Sequence, residues 1–96
     1  MNAMLCEAIK NKRIIMFTYK GKERIVEPYA YGIGHNHQDI LKGFQTAGKS
    51  DEEVPGWAIF PVSEIKELKI TKTNFSEIRP DYTKEDKSLH TIYCAL

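Results

Sequence analysis

Apolar positions at the start of the chain recur at helical spacing. Leu5, Ala8 and Ile9 fall at i, i+3 and i+4 with Met1 one turn back, while Glu7, Lys10 and Lys12 lie elsewhere. Residues 2–12 are therefore predicted to form a short amphipathic helix, with Asn2 as its cap. From Arg13 the pattern changes. Arg13-Ile-Ile-Met-Phe-Thr-Tyr19 is dense in β-branched and aromatic residues and predicts a strand, closed by a tight turn at Lys20-Gly21. Residues 23–33 predict a second strand in which Pro28, lacking an N–H, implies an edge, a bulge or a bend. His35-Asn36-His37 reads as a turn, and residues 38–47 as a third strand with Gly43 marking a bulge, a barrel corner or a close backbone approach. The polar, acidic stretch 48–56 is a loop, 57–61 a fourth strand stopped by Pro61, 62–65 a single turn, and 66–72 a fifth strand.

Five short strands after one helix predict a mainly β fold, a small and strongly bent antiparallel barrel. Its domain spans residues 1–76. Residues 77–96 read as a tail that docks on its own domain or a neighbour, and its end is predicted to be helical because Leu89, Ile92, Tyr93 and Leu96 would share a helical face. A face of that kind needs a cover, and a homodimer is the expected way to supply it.

A chain of 96 residues supports one core and no second. With 42% hydrophobic and 28% charged residues, wholesale disorder is excluded, and no apolar run is long enough to span a bilayer. Cys6 and Cys94 make no metal or redox spacing, and with no export signal at the N-terminus the expectation is reduced thiols and a cytoplasmic location. The net charge of +1 hides an asymmetry: residues 1–50 hold eight basic and four acidic side chains, whereas residues 51–96 hold six and nine. Only the first half has an excess of positive charge to offer an anion.

Catalytic patterns are weak. In an extended segment His35, His37 and Asp39 would share a face and resemble a metal set, but they fall at a hairpin turn where polar residues are expected anyway. Gly32-x-Gly34 lacks a third glycine and leads into no helix, and the carboxylates of Asp51-Glu52-Glu53 sit in a loop where solubility explains them. No enzyme, metal or cofactor is expected. Tyr19, Tyr29, Tyr31, Phe44, Trp57 and Phe60 are interleaved with Arg13, Lys20, Lys22, Arg24 and Lys42. Singly these rings fill a core. Together, Arg24 and Lys42 with Phe44 offer a face on which cations hold phosphates and a ring stacks on a base.

The order of these motifs resembles the WYL domain, a small Sm-like or SH3-like barrel. Ala8-Ile-Lys-Asn-Lys-Arg13 through Phe17-Thr-Tyr19 is similar to the family's opening, and Arg24-Ile-Val-Glu-Pro28-Tyr29 to its Arg-x-Val-x-Pro strand. Ile40-Leu-Lys-Gly-Phe-Gln45 stands at the position of the name motif. Gly56-Trp-Ala-Ile-Phe-Pro-Val-Ser-Glu-Ile65 resembles the closing segment, whose two arginines are replaced here by Pro61 and Glu64. The resemblance, over residues 5–76, implies a stand-alone, divergent ligand-sensing module of bacterial transcription regulation that binds single-stranded nucleic acid or a nucleotide-like ligand. Arg24, Lys42 and Phe44 are the candidate binding residues, although Pro61 and Glu64 remove positive charge from that site. The alternative is a protein-interaction or oligomerisation module whose barrel binds no ligand.

Overall fold

A computed structural model describes residues 2–49, 54–83 and 87–96 of the chain. Met1, the Asp51-Glu52-Glu53 carboxylates and most of the charged run 84–87 lie outside the described residues. Helix α1 (Ala3–Lys10) begins as the cap predicts: the Asn2 side chain accepts hydrogen bonds from the backbone N–H groups of Met4 and Leu5 at 3.0 and 3.3 Å. Its stripe of Leu5, Ala8 and Ile9 is fully covered. Six antiparallel strands follow: β1 (Arg13–Tyr19), β2 (Lys22–Gly34), β3 (Asp39–Gly48), β4 (Gly56–Pro61), β5 (Lys66–Asn74) and β6 (Leu89–Ala95). A 3-10 turn at Val62–Glu64 separates β4 from β5. Lys20 and Gly21 both take positive φ, 51° and 73°, the backbone that lets a two-residue turn follow the twist of β1 and β2.

The chain is mainly β with one N-terminal helix, as the sequence predicts. The sheet runs β4-β3-β2-β1-β5 and is not closed, and β6 pairs with β2. Strand β2 is the spine. Its first part pairs with β1 from Lys22 to Val26, and its second part pairs with β6 from Ala30 to Gly34. Pro28 falls in the gap between those two ladders, and the register towards β3 shifts directly after it. The residue without an N–H thus sits at a bulge, where its missing donor costs least. Opposite Pro28, a Cβ on Gly43 would stand 2.4 Å from Val26 Cγ1 and 2.8 Å from the Glu27 carbonyl, so Gly43 marks a close approach.

One side of the sheet and α1 enclose the main core of Leu5, Ala8, Ile9, Ile15, Phe17, Val26, Tyr31, Leu41 and Phe60. Phe17 and Phe60 meet edge to face at 4.9 Å.

Two expectations are corrected. The end of the 77–96 tail is a strand, not a helix. It docks on its own domain because β2 beyond Val26 would otherwise expose a row of unpaired backbone groups, and Thr91, Ile92 and Tyr93 suit a strand. The strand divides the residues that a helix would have aligned: Leu89 turns inward, while Ile92 and Tyr93 stay exposed. The shared face on which a homodimer was expected is therefore absent. The cysteines, expected as free thiols, form a Cys6–Cys94 disulfide joining α1 to β6 across 88 residues of sequence. The sheet brings their Cα atoms to 5.6 Å, a proximity that spacing along the chain does not reveal.

Candidate functional site

The sequence grouped Arg24, Lys42 and Phe44 on one face; the sheet separates the first from the other two. Arg24 lies opposite Gly48 and Lys42 opposite Ala30, six positions further along β2 and so about 20 Å away in an extended strand. They also point to opposite sides. Arg24 sits with Gln45 and, two residues on, the core residue Val26, whereas Phe44 pairs with Glu27 and Trp57 on the other side.

Arg24 is 4% exposed. One of its terminal nitrogens donates to Gln45 Oε1 at 3.4 Å and the other to the Tyr19 carbonyl at 3.3 Å. Its Nε has no partner, and no carboxylate of the described residues lies within ion-pair distance. It pairs with neither Glu27 nor Asp39, which bond Arg79 and Tyr31 respectively. The guanidinium instead lies 5.2 Å from the centre of the Tyr19 ring, and Lys20 Nζ lies 5.4 Å from the same ring. Two cations thus converge on one aromatic side chain. Next to Lys20 is a hollow of about 360 Å³ lined by Thr18, Lys20, Gly21, Ser63, Glu64 and Lys66. The hydroxyls and lysines suit an anion, and Glu64 partly opposes it.

The opposite side of the sheet carries a second constellation that the sequence did not indicate. Residues 75–82 cross it without joining the sheet. Arg79 meets Glu27 with both Nε and Nη2, at 3.0 and 3.1 Å, in a forked ion pair, and its guanidinium lies 3.7 Å from the centre of the Phe44 ring. Its backbone N–H donates to the Tyr29 hydroxyl, which donates onward to Glu27. Trp57 donates its indole N–H to Asp81 at 2.7 Å and stacks on Tyr82, while Phe44 and Tyr29 meet it edge on. Lys42 Nζ lies 5.4 Å from the centre of the Trp57 ring. Tyr82 donates its hydroxyl proton to the Leu96 carbonyl. Glu27 and Tyr29 in the middle of an apolar strand were the available signal. Arg79, Asp81 and Tyr82 read only as a break and a tail.

Burial pushes the Tyr29 phenol above its usual pKa, and the neighbouring Glu27 carboxylate adds to this against the opposing Arg79 N–H. Tyr31 is raised for the same first reason, with Asp39 accepting its proton at 3.0 Å. The Glu27 hydrogen bonds raise Arg79 further. His35 contacts His90 and the Lys87 carbonyl, and Asp39 serves Tyr31, so the suspected His35-His37-Asp39 set does not converge. No group of three or more ligating side chains occurs among the described residues.

Comparison with known proteins finds no matching family model, no matching curated protein and no matching solved structure.

Proposed function

We propose that this domain is a non-enzymatic module that binds an anionic, phosphate-bearing ligand, a nucleotide or single-stranded nucleic acid, in a regulatory role like that of the WYL domains it resembles. The observation that carries the reading is Arg24, a buried guanidinium with an unbonded Nε and no carboxylate among the described residues. A buried guanidinium without a counter-charge is costly, and a phosphate would supply both that charge and an acceptor for Nε. Lys20 on the shared Tyr19 ring and Lys66 across the adjoining hollow extend the positive surface. Lys42 and Phe44 are not part of this site. The cytoplasmic setting was expected from the N-terminal sequence and carried reduced thiols with it; the Cys6–Cys94 disulfide argues against that setting.

Fluorescence anisotropy with a labelled single-stranded oligonucleotide at low and moderate salt tests the reading. Binding should weaken steeply as salt rises, and Arg24→Met should abolish it while leaving the melting temperature unchanged or higher, since an uncompensated buried charge is removed. Silence at tens of micromolar, or equal binding by Arg24→Met, would overturn it. A protein-interaction module is the second reading. It is favoured by the exposed Ile59 on β4, whose outer edge pairs with no other strand among the described residues.

A further inference from the structure

We infer that the Glu27–Phe44–Trp57 face is a docking site for a peptide bearing an arginine three residues before an aromatic side chain, and that residues 79–82 occupy it in cis as a built-in competitor. This does not depend on the anion reading, because it concerns the other side of the sheet.

The contacts are those of a receptor holding a linear motif. Between Phe75 and Leu89 no described residue belongs to a strand or helix, so the segment gains no ladder hydrogen bonds from the sheet. It is held through side chains. Glu27 grips both edges of the Arg79 fork while the Phe44 ring covers its plane, an arrangement that satisfies the charge and the flat apolar surface of a guanidinium together. Trp57 then reads two further features, the Asp81 carboxylate through its indole N–H and the Tyr82 ring through stacking at an interplanar angle of 25°. Ser76, Glu77, Ile78, Pro80 and Asp81 remain exposed and contribute little burial.

Charge decides between a peptide and a nucleic acid as the outside partner. Glu27 is buried beneath Arg79, and with Arg79 withdrawn it is a carboxylate without its counter-ion at the centre of the face, which attracts a guanidinium and repels a phosphate. Because Arg79 and Tyr82 are tethered to the face, their effective concentration is high, and a partner with the same pattern binds only weakly until they are released.

Trp57 is the sole tryptophan of the chain, so its emission reports the occupant directly. The protein to use is the full chain carrying Arg79→Ala and Tyr82→Ala, with an eight-residue synthetic peptide of sequence 76–83 as probe. The expected result is a saturable change in Trp57 emission, absent with a control peptide that has alanine at positions 79 and 82. The unaltered chain should bind the probe at least tenfold more weakly. A folded double variant that gives no saturable change, or that responds equally to the control peptide, overturns the inference. Equal binding by the unaltered chain also overturns it, as does a response to a single-stranded oligonucleotide in place of the peptide. If circular dichroism shows the double variant unfolded, Tyr82→Leu alone takes its place, with a tenfold gain in probe affinity over the unaltered chain expected and no gain refuting.

Discussion

Reducing the Cys6–Cys94 bond should remove a large share of this domain's stability. The bond closes a loop of 88 residues, nearly the whole chain, so it withholds conformational freedom mainly from the unfolded state. Loop-closure entropy for that separation gives about 4.6 kcal/mol at 25 °C. A chain of this size has a total of roughly 5–14 kcal/mol to lose, so the bond accounts for a third of it or more. At about 4–8 °C per kcal/mol for a domain this small, reduction should lower the melting temperature by roughly 18–37 °C.

The folded reduced state should nevertheless keep its shape, because α1 retains its buried stripe of Leu5, Ala8 and Ile9 and β6 its ladder to β2. The assay is a calorimetric melt of the same preparation before and after a phosphine reductant, with intact mass confirming that two hydrogens are gained. Comparing the oxidised and reduced forms of one chain avoids the packing loss that a cysteine substitution adds. A fall of less than about 5 °C would refute the entropic argument, since no more than about 1.3 kcal/mol of the expected effect would be present. Two free thiols in the starting material would refute the bond itself.

Two other outcomes follow from particular contacts. Gly43→Ala should cost about 1–3 kcal/mol in chemical denaturation, because its Cβ would meet Val26 Cγ1 at 2.4 Å and the Glu27 carbonyl at 2.8 Å; an unchanged midpoint would show that β3 has room to shift. Tyr29 and Tyr31 have folded pKa values raised above the ordinary 10.0, so the folded state holds these protons more firmly than the unfolded state does. Their contribution is therefore fully present below pH 10 and is lost as pH rises through the folded values. Phenolate absorbance should show part of the tyrosine population titrating late, with stability falling over that same interval. A single titration at the ordinary value for all five tyrosines would contradict it.

Local chemistry made much of the fold legible. The helix, its Asn2 cap, the Lys20-Gly21 turn and β1 needed only residues near one another in sequence, and each forms where the pattern puts it. The tail was misread because period and partner disagree. Leu89, Ile92, Tyr93 and Leu96 satisfy a helical repeat, yet the deciding term was an open backbone edge some sixty residues earlier on β2, and spacing within the tail carries no trace of it. The disulfide is the same kind of miss, a tertiary proximity between the two ends of the chain.

The candidate site was half legible, and the missing half has a specific cause. Alternation along each strand correctly set Lys42 and Phe44 on one side, but joining them to Arg24 required the register between β2 and β3. That register contains two irregularities, one after Ile25 and one after Pro28. The first skips a residue on β3 and the second a residue on β2, so the pairing between them, Val26 to Pro28 against Gln45 to Gly43, is displaced by one from what simple alternation would assign. Pro28 announced one of these irregularities; nothing in Ile25-Val26 announced the other. The shift after Ile25 leaves Glu27, rather than Pro28, opposite Phe44, and so puts a carboxylate beside the ring that the sequence had grouped with a cation. With Glu27 and Phe44 side by side, one guanidinium can meet both, and Arg79 does so, its fork on the carboxylate and its plane on the ring.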